Sequence, residues 1–87
     1  MTKPLTILYF AWLRERVGTA RQELPRPEGV ATIDDLIRYL SGQSPGHAEA
    51  FRADNKVRCS VNQEFVDRTS PVGPGDEIGF FPPVTGG

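Results

Sequence analysis

The sequence contains very few of the residues that build disulfides, metal centres and membrane spans. Its 87 residues include one cysteine and one histidine, so an internal disulfide and a CxxC metal or redox site are excluded. The stretch after Met1 lacks the apolar segment of a signal peptide, and the longest apolar run is far too short to span a membrane. We therefore expect a cytoplasmic protein that holds no metal and is not bound to a membrane.

An excess of one sign of charge is also missing. Ten Lys and Arg residues stand against eleven Asp and Glu residues, scattered along the chain, for a net charge of −1. Because nucleic-acid binding needs a basic stripe, we expect no nucleic-acid partner. A chain of this length predicts one domain that buries about 60 to 70% of the surface of its unfolded chain. A deep active-site cavity is not expected in so small a core.

The single cysteine and the single histidine each have a structural interpretation. Cys59 alternates with polar neighbours between Val57 and Val61, so its side chain is predicted to face the core as a buried, inert thiol rather than as a nucleophile. His47 follows a Ser-Pro-Gly segment and is predicted to be a solvated loop residue, with neither a second metal ligand nor a base role.

Apolar and polar residues alternate in short segments bounded by Gly and Pro, which is typical of β-strands. Strands are predicted over 5–10, 20–24, 57–61, 64–66 and 77–81. A brief helix is predicted over 11–17, where Gly18 ends it, and one further helical turn over 47–51.

The clearest helix follows Thr32, which is a good N-cap. Asp34 and Asp35 favour the positive end of the helix dipole, and apolar residues recur at helical spacing from Ile33 to Leu40. A helix between the second and third strands of a small sheet predicts an α+β, β-grasp (ubiquitin-like) roll. In that fold the main helix packs on one face of a mixed sheet of about four to five strands. The other face is left open.

Residues 1–81 are predicted to form this domain, and residues 82–87 an extended tail that reads Pro-Pro-Val-Thr-Gly-Gly. Six extended residues could reach about 20 Å. Pro82 and Pro83 fix φ and stiffen the base of the tail. Gly86 and Gly87 have no Cβ, so they could pass through a narrow channel.

The terminal carboxylate is the chemical group that this tail offers. A carboxylate becomes a good acyl donor once it is an acyl adenylate, from which sulfide or a persulfide can displace AMP to leave a thiocarboxylate. The alternative is a frayed terminus, since a Gly-Gly end arises by chance in roughly one chain in 200. The stiff Pro-Pro base after a ubiquitin-like layout favours the functional interpretation.

The last eight residues, FFPPVTGG, closely resemble the carboxyl terminus of the small subunit of molybdopterin synthase. The similarity also covers residues 8–11, 14–15, 17–18, 61–63 and 75–77. The resemblance implies a β-grasp sulfur carrier whose Gly87 is adenylated and converted to a thiocarboxylate. The carrier would then donate sulfur to cyclic pyranopterin monophosphate and so build the dithiolene of molybdopterin.

The same resemblance implies the partners. A large catalytic subunit would supply the catalytic side chains within a heterotetramer, an E1-like adenylyltransferase would consume ATP, and a sulfur donor protein would supply sulfur. The carrier would bind no cofactor and would not be an enzyme on its own.

The resemblance also implies docking through an apolar surface around the tail. The residues at matching positions are Phe10, Arg14, Phe65 and Phe81, followed by the tail residues Pro82, Pro83, Val84, Thr85 and Gly86. Strand alternation independently predicts that Phe10 and Phe81 lie opposite the core. Core packing for the three phenylalanines, and a solvated position for Arg14, are the alternatives.

Three other functions stay open from the sequence. One is a sulfur carrier of another pathway, such as thiamine synthesis, tRNA thiolation or cysteine synthesis. A second is a ubiquitin-like modifier that forms an isopeptide bond with a target lysine. A third is a plain interaction domain with an inert tail.

Overall fold

The computed structural model describes residues 3–52 and 56–83. Within these residues the chain forms five strands and three helices. The strands are β1 (Leu5–Tyr9), β2 (Arg21–Leu24), β3 (Arg58–Val61), β4 (Glu64–Val66) and β5 (Glu77–Phe81), and the helices are α1 (Trp12–Val17), α2 (Ile33–Ser41) and α3 (Pro45–Ala50). None of the helices described is long and apolar enough to cross a membrane.

The strands form one mixed sheet in the order β2-β1-β5-β3-β4. β1 and β5 pair in parallel, whereas the other neighbouring strands pair antiparallel. The last strand in sequence therefore lies at the centre of the sheet. With α2 between β2 and β3, this arrangement confirms the predicted β-grasp fold. The division into a domain over 1–81 and a tail over 82–87 stays a prediction.

One face of the sheet carries the hydrophobic core. In β1, Leu5, Ile7 and Tyr9 are buried, while Thr6 and Leu8 between them are only partly buried. The helices and β5 complete the same cluster. Its other large, fully buried members are Leu13, Ile33, Leu36, Ile37, Leu40, Ile78 and Phe80. This is the alternation that the strand pattern predicts, and the helices cover this face only.

A capping box fixes the start of α2. The Thr32 hydroxyl accepts a hydrogen bond from the Asp35 N–H, and the Asp35 carboxylate accepts one from the Thr32 N–H, each at 3.2 Å. The carboxylate also accepts from the Ala31 N–H at 3.0 Å. These backbone hydrogen bonds, that from Ala31 foremost, hold the pKa of Asp35 below its usual value. The predicted Thr32 N-cap is confirmed.

A two-residue turn joins β3 to β4, as predicted. Asn62 and Gln63 have φ values of 52° and 73°, the left-handed pair that matches the twist of a hairpin. The Asn62 amide also donates to the Asp76 carboxylate at 3.1 Å and accepts from the Glu77 N–H at 3.0 Å. The hairpin is thereby tied to the start of β5.

The structure corrects the prediction for His47, which is buried rather than solvated. The Ser-Pro-Gly segment before it begins α3 instead of forming a loop. Ser44 is the N-cap, since its hydroxyl accepts from the His47 N–H at 3.1 Å, and Pro45 takes the first helical position. The smaller corrections are at element ends, where β1 stops at Tyr9 and α1, β2 and β3 each begin one residue later than predicted.

Candidate functional site

Three phenylalanines are in contact on the open face of the sheet, and we call them the open-face cluster. The Phe10 and Phe81 rings stack with centroids 4.4 Å apart and planes within 5°. The Phe65 ring packs against Phe81 at 5.2 Å. Phe10 is 40% exposed and Phe65 is 63% exposed, while Phe81 is half-buried. The structure thus brings together three of the predicted docking residues, and their docking role stays a prediction.

The register of β1 and β5 explains why Phe10 and Phe81 meet. Tyr9 pairs with Phe80 across these parallel strands, and both side chains point into the core. The residue that follows each of them must point the other way, because side chains alternate along a strand. The Phe10 N–H also donates to the Phe80 carbonyl at 3.1 Å, which keeps the backbones together beyond the end of β1.

Gly79 allows the Phe81 ring to lie close to the sheet. A Cβ at this glycine would be 2.7 Å from Ser60 Oγ and 2.9 Å from the Phe81 ring. Ser60 pairs with Gly79 on one side and with Phe65 on the other, and it is only 6% exposed although it lies on the open face. The missing side chain therefore makes space for the ring that joins Phe10 to Phe65.

Arg14, the fourth predicted docking residue, is exposed on α1. Its carbonyl accepts the Gly18 N–H at 2.8 Å and so closes the helix. In the described part of the chain, no ring contact or ion pair joins its side chain to the open-face cluster. A docking role for Arg14 rests on the family resemblance.

The predicted tail begins at this cluster. β5 ends at Phe81 and leads directly to Pro82 and Pro83, both half-buried. The residues that would carry the carboxyl chemistry lie outside the described residues; they are Val84, Thr85, Gly86 and Gly87. The structure therefore shows only where the predicted tail would leave the sheet.

A groove of about 410 Å³ continues the open-face cluster toward the β4 edge of the sheet. Phe65 belongs to both, and Pro83 lines the groove. The charged side chains that line it are Lys56, Arg58, Asp67 and Arg68. The sequence analysis did not predict this groove. The available signal was that Arg58 alternates with the buried Cys59 and so must face away from the core.

Two of the cations in this groove, Arg58 and Arg68, contact other side chains. The Arg58 guanidinium lies over the Phe65 ring, 5.4 Å from its centroid. Arg68 is ion-paired with Asp34 of α2, which also pairs with Arg38 at 2.8 Å. The hydrogen bond from Arg68 is the main cause that holds the pKa of Asp34 below its usual value.

Cys59 is a buried thiol, as predicted. It is 3% exposed, and its Sγ donates to the Val66 carbonyl at 3.4 Å. Burial raises the pKa of the thiol, which disfavours the nucleophilic thiolate. Across residues 3–52 and 56–83, no three His, Cys, Asp or Glu side chains are placed to hold a metal ion.

His47 belongs to a polar network under the sheet. Its Nδ1 lies 2.8 Å from Ser44 Oγ, and its Nε2 lies 3.1 Å from Gln22 Oε1. The Tyr9 hydroxyl donates to the same Oε1 at 2.8 Å. These partners fit a neutral imidazole in which Nδ1 accepts from the Ser44 hydroxyl and Nε2–H donates. Burial lowers the pKa of His47 and raises the pKa of Tyr9, so both stay uncharged at neutral pH.

The fold and the open-face cluster define a class, the small ubiquitin-like β-grasp domains in which the strand before the tail lies at the sheet centre. The particular family follows from sequence. A sequence model of the ThiS family matches residues 7–87, and the chain belongs to that family.

Individual relatives agree with this assignment and with the resemblance to the small subunit of molybdopterin synthase. The chain is 40% identical over 83 residues to the molybdopterin synthase sulfur carrier subunit of Escherichia coli, a match that covers 95% of this chain and 99% of that one. It is 32% identical over 91 residues to small archaeal modifier protein 3 of Haloferax volcanii, covering 95% and 98%. The crystal structure of SAMP1 from Haloferax volcanii superposes with a TM-score of 0.73 at 26% identity, covering 97% and 99%.

Proposed function

We propose that this chain is the sulfur carrier subunit of a molybdopterin synthase and that it carries sulfur on the carboxyl group of Gly87. The observation that carries the proposal is that the family match continues through residue 87, in a chain 40% identical to a carrier subunit of that enzyme. The placement of Pro82 directly after the central strand supports it, because a tail that begins beside an exposed aromatic cluster can enter a partner docked there.

The chemistry needs no catalytic side chain from the carrier. The Gly87 carboxylate attacks the α-phosphate of ATP in an E1-like adenylyltransferase, which releases pyrophosphate and leaves an acyl adenylate. The terminal sulfur of a persulfide on a sulfur donor protein displaces AMP to give an acyl disulfide, and a thiol then reduces the S–S bond, which leaves the thiocarboxylate and a disulfide. Two thiocarboxylates, one after the other, each transfer one sulfur to cyclic pyranopterin monophosphate in the large subunit, which supplies the two sulfurs of the dithiolene. Hydrolysis of each acyl–sulfur bond restores the Gly87 carboxylate.

The described part of the carrier supports this division of labour. Cys59 is buried with a raised pKa, and His47 is held neutral in a structural network. The surface instead offers apolar rings, which suit docking. In this proposal the carrier binds no cofactor of its own, and the activating partner consumes ATP.

Intact-mass measurement tests the proposal. The chain is incubated with the adenylyltransferase, ATP and a sulfur donor from the same genome. We expect a mass gain equal to one oxygen-to-sulfur exchange, and then molybdopterin after the large subunit and pterin substrate are added. Deletion of Gly87 should abolish both. The matched control is Gly42→Ala, a change at an exposed helix end where an added Cβ meets only Tyr39 O at 3.6 Å.

A second candidate is a ubiquitin-like modifier, which the 32% identity to small archaeal modifier protein 3 favours. The same acyl adenylate would then pass Gly87 to a lysine amine instead of to sulfide. Conjugates of higher mass, without a free thiocarboxylate, would support this function over sulfur transfer. A thiocarboxylate that yields no pterin product would favour a carrier of another pathway.

A further inference from the structure

The groove beside the open-face cluster is locally basic although the whole chain is not. Three of its lining side chains are cationic, Lys56, Arg58 and Arg68, against one anionic side chain, Asp67. The chain as a whole has a net charge of −1. Overall composition therefore does not account for this concentration of positive charge.

Lys56 and Arg58 supply most of the positive charge that a ligand in the groove would meet, because Arg68 is ion-paired with Asp34. Both Lys56 and Arg58 are exposed residues that line the groove. The contact between Arg58 and the Phe65 ring does not neutralise the guanidinium charge, because the ring is uncharged.

The position of the groove identifies what can reach it. Phe65 lines both the groove and the open-face cluster, and Pro83 at the start of the tail lines the groove. A protein that covers the cluster and takes up the tail must therefore lie across Lys56 and Arg58. Burying two cations in an interface is costly unless the partner supplies acceptors.

We propose that Lys56 and Arg58 in this groove bind carboxylate side chains of the protein that receives the tail. This inference rests on the proposed function, because it needs a protein docked at the open-face cluster. Apolar rings would supply contact area, while the groove would select partners that present Asp or Glu next to the tail entrance. The positive charges of Lys56 and Arg58 would mainly speed association and fix the orientation of docking.

The experiment uses the full chain with Lys56→Glu and Arg58→Glu combined. Its dissociation constants for the adenylyltransferase and for the large synthase subunit are measured at low and at physiological salt. We expect binding to at least one of them to weaken roughly tenfold or more, and its salt dependence to shrink, because like charges replace opposite ones. Thermal unfolding should stay as in the unsubstituted chain, since both side chains are exposed.

Lys3→Glu is the matched control. Lys3 is also an exposed cation, but it precedes β1 and so lies at the end of the sheet away from the tail. Equal binding by the double variant, Lys3→Glu and the unsubstituted chain would overturn the inference while leaving Gly87-dependent sulfur transfer intact. If neither deletion of Gly87 nor charge reversal abolished sulfur transfer, the proposed function would instead be rejected.

An NMR titration with inorganic phosphate separates a protein partner from a free anion. Our inference predicts that phosphate at millimolar concentration leaves the Lys56 and Arg58 backbone signals essentially unshifted. Saturable shifts at both residues, together with unchanged partner binding by the double variant, would assign the groove to a small phosphate-bearing ligand and contradict docking by carboxylates.

Discussion

Two sets of aromatic rings lie on opposite faces of the same sheet. The covered-face set is Tyr9, Phe51 and Phe80, and the open-face cluster is Phe10, Phe65 and Phe81. Members of the first set have ring centroids 5.0 to 6.4 Å apart and are at most 4% exposed. The second set has centroids 4.4 and 5.2 Å apart but stays partly open to solvent.

We propose that the covered-face rings serve folding and that the open-face rings serve recognition of a partner. Tyr9 and Phe10 are neighbours in the chain, as are Phe80 and Phe81, yet each pair divides between the two faces. Burial of the first member of each pair stabilises the domain. The second member keeps apolar surface exposed in a preformed stack, which is what a hot spot for a protein partner requires.

Phe80→Ala should give the largest effect. Phe80 is fully buried between Tyr9 and Phe51, and removal of a core phenylalanine typically costs about 3 to 5 kcal/mol. Urea unfolding at 25 °C measures this loss. The control is Phe65→Ala at a ring that is 63% exposed, where we expect less than about 1 kcal/mol. Equal losses in the two variants would mean that both faces contribute alike to folding.

Gly79→Ala tests whether the open-face cluster depends on its glycine. The new Cβ would approach Ser60 Oγ to 2.7 Å and the Phe81 ring to 2.9 Å, so we expect a loss of about 1 to 3 kcal/mol from overpacking. Ring-current shifts at Phe10 should change as the Phe81 ring moves. Gly42→Ala should cost no more than about 0.5 kcal/mol. Unchanged ring-current shifts at Phe10 would contradict this account of the stack.

Phe81→Ala should separate binding from stability. We expect the affinity for the large synthase subunit to fall at least tenfold, or about 1.4 kcal/mol, because truncation removes the ring that joins Phe10 to Phe65. Calorimetric titration gives the affinity. Tyr39→Ala, at a ring 39% exposed on α2, should bind normally. An intact fold with undiminished binding would show that Phe81 is not an interface residue.

The smallest effect is expected for the pH dependence of stability that His47 causes at the polar edge of the covered face. Burial lowers the pKa of His47 in the folded protein, so the unfolded chain binds the proton more readily. Stability from this group is present above the unfolded pKa of about 6.5 and is lost as pH falls through the lower folded pKa. Urea unfolding between pH 7.5 and 5 should show this loss. His47→Gln should flatten the profile in that range, and an identical slope in both proteins would rule His47 out as its source.

Local sequence signals predicted most of the fold. Strand alternation separated Phe10 from Tyr9 and Phe81 from Phe80, and the Thr32 cap predicted the start of α2, because both depend on near neighbours in the chain. The error at His47 has a local part, since Ser44 followed by Pro45 was itself a helix-start signal. Its other part is not local, because the imidazole partner Gln22 lies 25 residues away.

In the candidate site, too, local signals were predictable from the sequence and contacts between distant residues were not. Each ring of the open-face cluster was a predicted docking residue, but the stack depends on the pairing of β1 with β5 and on the space at Gly79. The groove was not predicted because Arg68 follows β4 and lies near Lys56 and Arg58 only when β3 and β4 pair. Side-chain type and spacing indicate a face of the sheet. Register determines which side chains share it.

The central position of the last strand has a consequence for synthesis of the chain. β5 joins the pair β1–β2 to the pair β3–β4, so these two halves have no common sheet until Glu77–Phe81 has been made. Pairing between the first and last strands is also the longest loop closure in the domain, the kind of contact that slows folding. A nascent or prematurely terminated polypeptide that lacks β5 thus lacks the stacked Phe10–Phe81 surface as well. Partners that bind this surface would meet only chains whose translation has passed residue 81.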